Sequence, residues 1–393
     1  MALDDVGRWL MTQSDQTYRL FGYAGTGKTT LAKHLAEGVS HVLFGAYTGK
    51  AASVMQKKGC SSASTIHKLI YLPTTKSKGH LLDLEQSLCS LEAETSPEDR
   101  ETDAAILRVQ REIVAEKARL RQPAFTLNPE SSVKDADLVV VDECSMVDEQ
   151  MGTDLLSFGT PVLVLGDPAQ LPPVRGGGFF TSQRPDVMLT EIHRQARDNP
   201  IIDLATKVRQ GEPLLDGPYG DSLVMRGKPD QALVMGADQI LVGLNDTRRR
   251  CNHRMRSLLG YPEEPVPQKG DKIVCLRNDR EEGLLNGTLW TVDEATLVGE
   301  RVSLDITDDR GFNTVVEAHV HYFQGREKEL PFYVMREAQL FDFGYALTVH
   351  KAQGSQWPSV FIFDESWAFR GSARQWLYTA LTRASEKVVI CRS

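Results

Sequence analysis

The sequence predicts an α/β protein of at least two domains, in which parallel sheets flanked by helices present their chemistry at the C-terminal ends of the strands. Three stretches carry that prediction. Residues 18–21 form a short strand-like run that passes through a glycine-rich turn, GYAGTGKTT at 22–30, into the helical pattern LAKHLAEG. Residues 138–141, LVVV, are a continuous apolar run of the kind buried on both faces of a parallel sheet, and they end on Asp142 and Glu143. Residues 161–165, PVLVL, are a third such run and lead into GDPAQLPPV at 166–174. At 393 residues the chain exceeds what one core usually organises.

Composition narrows the class. With 41% hydrophobic and 25% charged residues and no low-complexity tract, the chain reads as an ordinary globular protein. No apolar run approaches the roughly 20 residues that a bilayer requires, and the acidic start MALDDVGRWL lacks the blocks of a signal peptide, so the expected location is the cytoplasm. Cys60, Cys89, Cys144, Cys251, Cys275 and Cys391 are scattered without a C-x-x-C pair, which argues for free thiols and against structural zinc. A net charge of -8 does not exclude nucleic acid, because binding depends on where the basic residues lie.

Each strand end has a chemical reading. The turn at 22–30 satisfies G-x-x-x-x-G-K-[ST], in which backbone N–H groups around Gly25, Thr26 and Gly27 cradle phosphates at a helix N-terminus. Lys28 would reach the β- and γ-phosphates, and the Thr29 hydroxyl, followed by Thr30, would sit on Mg²⁺. Asp142 suits the magnesium shell, and Glu143 suits a general base for the attacking water. Gln170, just past the third strand beside Asp167, reads as the sensor of the γ-phosphate. A strand ending in solvated acids or a proline-fixed turn is common when met alone. In series behind a phosphate loop, the three describe one site.

The ordered series continues with AYTGKAA (46–52), STIHKL (64–69), VDECSMVD (141–148), LTEIHRQ (189–195), ALTVHKAQGSQWPSV (346–360) and YTALTRA (378–384). Together these resemble superfamily 1 helicases, most closely the RecD-like and Dda-like branch that moves 5′ to 3′ along DNA. The resemblance implies two RecA-like P-loop domains closing on ATP and Mg²⁺, the second using strands within 239–244, 359–364 and 387–391. It implies that Arg194 and Arg383 reach the γ-phosphate from the second domain, a role that a permanently charged, forked guanidinium suits. It further implies that Gly354 belongs to the ATP site and, with Gln353, couples it to the strand. The implied DNA contacts are Thr48, Lys50, Thr65, His67, Thr348, His350 and Lys351. The partners would be single-stranded DNA and single-strand/duplex junctions, met by a monomer. Phe180, Tyr345, Trp357 and Trp376 lie near these motifs as candidate base-stacking platforms, although aromatics so placed belong to a core more often. An RNA helicase of the same superfamily and a nucleotide-switched binding scaffold are the rival readings.

Two segments interrupt the motifs. Residues 268–337 carry short alternating runs punctuated by NG, VG and DDRG, which is hairpin grammar for a small antiparallel β-barrel, and GDKIVCLRND with LLNGTLWTV resembles the Src-homology-3-like insert of those helicases. Residues 73–122 predict a helical hairpin. Ser96 and Pro97 suit a helix start, and a helix from there to Gln122 would have about 25 residues and span ~37 Å. Ile106, Val109, Ile113 and Leu120 share one stripe, and Leu81, Leu84, Leu88 and Leu91 share another. The family often builds a β-stranded pin here to meet the duplex fork, so this arm reads either as a strand-separating wedge or as a partner-docking coiled coil. The expected division is therefore 1–72 with 123–190, and 191–267 with 338–393. The stretch before Gly25 is short for a helix bearing an adenine-recognising glutamine, leaving Gln13 and Gln16 as candidates.

Overall fold

The computed structural model describes residues 2–12, 14–73, 79–95, 100, 103–121, 125–172, 178–191, 199–279, 283–309, 311–330 and 338–392. The chain divides into two compact units, Met1–Leu69 with Ser132–Ser393, and Ile70–Ser131.

The larger unit holds three sheets. The first has six parallel strands in the order Ser64–Thr65, Val42–Ala46, Leu138–Asp142, Val162–Gly166, Thr17–Gly22 and Val187–Leu189. Leu138 to Val141 and Val162 to Leu165 are all at most 1% exposed, as the unbroken apolar runs require of strands covered on both faces. The register sets Ala46 beside Asp142 and Phe21 beside Gly166, so the ends of the three signal strands emerge along one edge. The second sheet runs Ala346–Thr348, Gln239–Val242, Trp357–Asp364, Ala384–Arg392, Ser222–Arg226 and Gly217–Tyr219, parallel except for its last pairing.

The third sheet is antiparallel, in the order Asn313–His319, Arg301–Asp308, Leu289–Val298, Lys272–Cys275 and Phe341–Phe343. Its alternating pattern puts Trp290, Val292, Val302, Leu304 and Ile306 into one buried cluster. The two edges meet: Gln339 N–H donates to the Glu317 carbonyl at 3.0 Å, and Glu317 N–H donates to Gln339 Oε1 at 3.0 Å.

A buried ion pair fastens this sheet to the second one. Arg256, 1% exposed on helix Asn245–Leu258, donates from Nε to both oxygens of Asp271, which is fully buried at the entrance to Lys272–Cys275. Its other nitrogens donate to the carbonyls of Pro262, Glu264 and Val266, while Tyr345 Oη and the Gln268 N–H donate to Asp271 at 2.8 Å each. Both carboxylate oxygens and all three guanidinium nitrogens find partners, which is what makes such burial tolerable.

In the smaller unit, helices Gly79–Glu94 and Ala104–Arg121 share an apolar cluster of Leu81, Leu84 and Ile113, with Leu88 and Val109 packed against it. A short antiparallel ribbon pairs Tyr71–Pro73 with Phe125–Leu127. One expectation is corrected. The second helix starts at Ala104 and has 18 residues, so it spans ~27 Å. Asp103 is its cap, accepting from the N–H groups of Ala105 at 2.8 Å and Ile106 at 3.0 Å. An acid there satisfies the orphaned amides as well as Ser96 would have done. Ser96, Pro97 and the Leu120 side chain lie outside the described residues.

Removing one partner of the Arg256–Asp271 pair strands a buried charge, so Asp271→Ala is expected to lower unfolding free energy by about 3–5 kcal/mol. Urea denaturation followed by circular dichroism measures this, and a loss under about 1 kcal/mol would contradict the assignment.

Candidate nucleotide site and nucleic-acid interface

Gly25 and Gly27 take φ of 79° and 75°, left-handed values that a side chain would resist, and they turn the loop onto helix Lys28–Ala36. Gly27 gives that helix no side-chain cap, which leaves its first amides available to an anion. Gly22 is constrained too, since a Cβ there would stand 2.5 Å from Thr26 Oγ1 and 2.9 Å from Leu189 Cβ. Lys28 Nζ donates to the carbonyls of Gly22 at 2.6 Å and Tyr23 at 3.1 Å, lying across the loop.

The neighbouring strands bring the acids. Thr29 Oγ1 donates to Asp142 Oδ2 at 2.9 Å, so two hard oxygen ligands stand side by side, a donor set that fits Mg²⁺. Glu143 has φ 53°, uncommon for a residue with a side chain. Burial pushes its carboxyl above the usual range; Arg383 opposes this and Asp142 adds to it. Asp167 is 2% exposed and is also pushed up by burial, against the pull of Lys28 and of a 2.6 Å hydrogen bond donated by Tyr378. Gln170 is buried, and its Oε1 has no partner among the described residues.

The second sheet closes the space. Gly354, at φ 73°, allows the turn after helix Val349–Ala352 to approach so closely that a Cβ would meet Thr48 Oγ1 at 2.8 Å. Buried Arg383 is held by the carbonyls of Thr379 at 3.1 Å and Ser355 at 3.3 Å. A cavity of about 380 Å³ results, lined by Gly25, Lys28, Asp142, Gln170, Gly354 and Arg383 among others. It can hold a polyphosphate between backbone amides, a lysine and an arginine, beside two carboxylates.

The seven residues expected at nucleic acid gather partly in a second cavity of about 270 Å³. Thr48, Lys50, His67, His350 and Lys351 line it; Thr65 and Thr348 do not. All three threonines cap helix starts, accepting from the N–H groups of Ala51 at 3.1 Å, Lys68 at 3.2 Å and Lys351 at 3.4 Å. Burial pushes Lys50 down to about 8 and holds Lys351 and His350 below their ordinary values. Lys50 Nζ lies 4.6 Å from the centre of the Trp357 ring. Asn278 and Asn286 add amides that sequence reasoning missed. A larger cavity, about 630 Å³, runs from Lys50 and Val54 past Trp357 to Lys272 and Trp290. It lacks the phosphate loop and the catalytic acids, so size alone does not make it the reaction site.

With this geometry in view, comparison with known proteins is informative. The AAA domain family matches residues 4–217, and the UvrD-like helicase C-terminal domain matches residues 343–391. The chain is 29% identical over 401 residues to the ATP-dependent RecD2 DNA helicase of Deinococcus radiodurans, covering 94% of this chain and 46% of that protein. It is 29% identical over 208 residues to the ATP-dependent DNA helicase dda of Enterobacteria phage T4, covering 49% of this chain and 37% of that protein. The chain belongs to the AAA domain family.

The chain spans less than half the length of those curated relatives. Its fold also resembles Bacteroides Pif1 bound to ssDNA, with TM-score 0.51 and 18% identity over 98% of this chain and 91% of that one. A structure of two coordinating Pif1 helicases at forked dsDNA gives TM-score 0.52 with the same identity and coverage. One expectation changes. Gln16 donates its amide to the carbonyls of Leu156 at 2.7 Å and Thr160 at 3.1 Å, so it ties strand to loop and is not available to adenine. Phe180, Tyr345, Trp357 and Trp376 are all at most 8% exposed and belong to cores. Gln13 and Arg194 lie outside the described residues.

Tyr378 went unassigned in the sequence although it opens YTALTRA. Its Oη donates to Asp167 at 2.6 Å and accepts from the Ala24 N–H of the phosphate loop at 2.9 Å, joining elements 354 residues apart. Only the fold could bring these together. Tyr378→Phe takes this partner from both Asp167 Oδ2 and the half-buried Ala24 N–H, so it should cost about 1.5–3 kcal/mol of unfolding free energy. A change below about 0.5 kcal/mol in denaturant unfolding would contradict the bridge.

Proposed function

We propose that the chain is an ATP-dependent DNA helicase and single-stranded DNA translocase moving 5′ to 3′. One observation carries the reading: the turn containing Gln353 and Ser355 borders both the phosphate-binding cavity and the cavity of Lys50, His350 and Lys351. The names of the curated relatives and the ssDNA-bound structural neighbour support it, and the polarity rests on resemblance to the RecD-like and Dda-like branch.

In this reading Gly25, Thr26, Gly27, Lys28, Thr29 and Thr30 hold the triphosphate. Thr29 and Asp142 hold Mg²⁺, which when bound neutralises charge on the phosphate oxygens. Glu143, whose carboxylate burial makes more basic, accepts the proton of the attacking water. Gln170 contacts the γ-phosphate through its Nε2 amide, its Oε1, unpartnered among the described residues, being able to accept from the attacking water, and Arg383, with Arg194, stabilises the charge that develops on transfer. Gly354 lets the second domain close on the loop. Thr48, Lys50, Thr65, His67, Thr348, His350 and Lys351 grip the DNA backbone, where hydroxyls and cations position a strand without reading its sequence. The motor domains are 1–72 with 123–190 and 191–267 with 338–393. The antiparallel sheet within 268–337 is a Src-homology-3-like barrel, a reading its touching edges support. The paired helices within 73–122 form a hairpin that acts as a wedge at the fork.

Unwinding of duplexes bearing a 5′ or a 3′ single-stranded tail tests these roles together. The wild-type chain should open only the 5′-tailed duplex, and only with ATP and Mg²⁺. Lys28→Ala should reduce hydrolysis by about 100-fold or more, and deletion of residues 81–121 should spare DNA-stimulated hydrolysis while abolishing unwinding. Hydrolysis without unwinding of either tail by wild type would defeat the helicase reading; preference for the 3′ tail would defeat the polarity; stronger stimulation by RNA would favour the RNA alternative. Unwinding by the deleted chain would remove the wedge.

A further inference from the structure

The antiparallel sheet carries a cluster that the nucleotide and DNA sites do not use. His319 ends strand Asn313–His319, His321 follows two residues later in helix Val320–Phe323, and Glu300 immediately precedes strand Arg301–Asp308. The register pairs Arg301 with His319 across the sheet. Val320 N–H donates to the Glu300 carbonyl at 3.0 Å, which fastens the Glu300 backbone between the two histidines. His319 and His321 are 5% and 8% exposed, and their Nδ1 atoms stand 3.1 Å apart. Glu300 Oε2 lies 3.6 Å from His319 Nε2, and one donor atom from each of the three residues falls within 4.8 Å of the other two. Among the described residues no other group of three His, Cys, Asp or Glu side chains converges in this way.

We propose that Glu300, His319 and His321 form a binding site for one divalent cation of the borderline class, Zn²⁺ in the first instance. Two imidazole nitrogens at ~2.0–2.1 Å from one ion in a tetrahedral arrangement are about 3.3 Å apart, close to the spacing the fold already imposes. An imidazole binds metal through a ring nitrogen that carries no proton. The Glu300 side chain is 69% exposed, so it has the freedom to swing onto an ion held by the buried rings. Two histidines and one carboxylate match a donor set that zinc accepts with water in the fourth position. The scattered cysteines exclude a paired-thiolate site and do not bear on this one. The ion would staple the turn before Arg301–Asp308 to the strand end next to Ala318, where the two sheet edges meet. Without an ion, His319 Nδ1 accepts from the His321 backbone N–H at 3.4 Å and stands 3.1 Å from His321 Nδ1.

The test uses the full chain stripped with EDTA, titrated with Zn²⁺ by calorimetry and with Co²⁺ by visible absorbance. The expected result is one equivalent bound, Co²⁺ d–d bands without a thiolate charge-transfer band, and a raised thermal midpoint. Glu300→Ala, a surface change that leaves the core intact, should weaken binding about tenfold or more, and His321→Gln should abolish it with an unchanged circular dichroism spectrum. Absence of saturable binding, a thiolate band, or equal affinity in wild type and Glu300→Ala would overturn the proposal. These readouts need neither ATP nor DNA, so they stand or fall apart from the helicase reading.

Discussion

A parallel strand buried on both faces can offer chemistry only where it ends. That constraint organises this molecule. Leu138 to Val141 and Val162 to Leu165 spend every side chain on the core, so Asp142, Glu143, Asp167 and Gln170 have to follow them at the edge where the phosphate loop also emerges. The loop then needs only glycines at 25 and 27 to bend its amides toward that edge. The second sheet obeys the same rule, and Thr348, Gly354 and Arg383 stand beyond or beside its strand ends.

The cleft between the two sheets is held by contacts too specific to arise from apolar packing. Tyr378 reaches from one side to Ala24 and Asp167, Thr379 Oγ1 accepts from the Leu171 N–H at 2.9 Å, and Gln353 Nε2 donates to the Leu171 carbonyl at 3.0 Å. Ala24 and Asp167 both line the cavity of about 380 Å³, so an anion held there would stand against the bonds that Tyr378 makes across the cleft. Burial raises the basicity of Glu143 and Asp167, and Arg383 and Lys28 oppose that rise by standing near both acids.

Local signals were readable from sequence because their causes are local. The phosphate loop, the apolar strands and the hairpin turns each depend on neighbours within a few residues, and all formed close to where their patterns placed them. The start of the second arm helix was misjudged because Ser96 and Asp103 are both competent caps, and pattern alone does not choose between them. Gln16 looked available because nothing nearby in sequence announces the carbonyls of Leu156 and Thr160. Tyr378, Asn278 and the Glu300–His319–His321 cluster were invisible for a related reason, since each gains meaning only from residues brought in by the fold.

If the turn at Gln353 and Ser355 joins the two cavities, nucleotide and single-stranded DNA must alter each other's binding, and by the same factor in both directions. The decisive measurement is a thermodynamic cycle in which the affinity for fluorescent single-stranded DNA is determined with and without a non-hydrolysable ATP analogue, and the analogue's affinity with and without DNA. The account predicts equal coupling factors of about 5-fold or more, lost when Gln353 is replaced by alanine. Independent binding of the two ligands to the wild-type chain would contradict it.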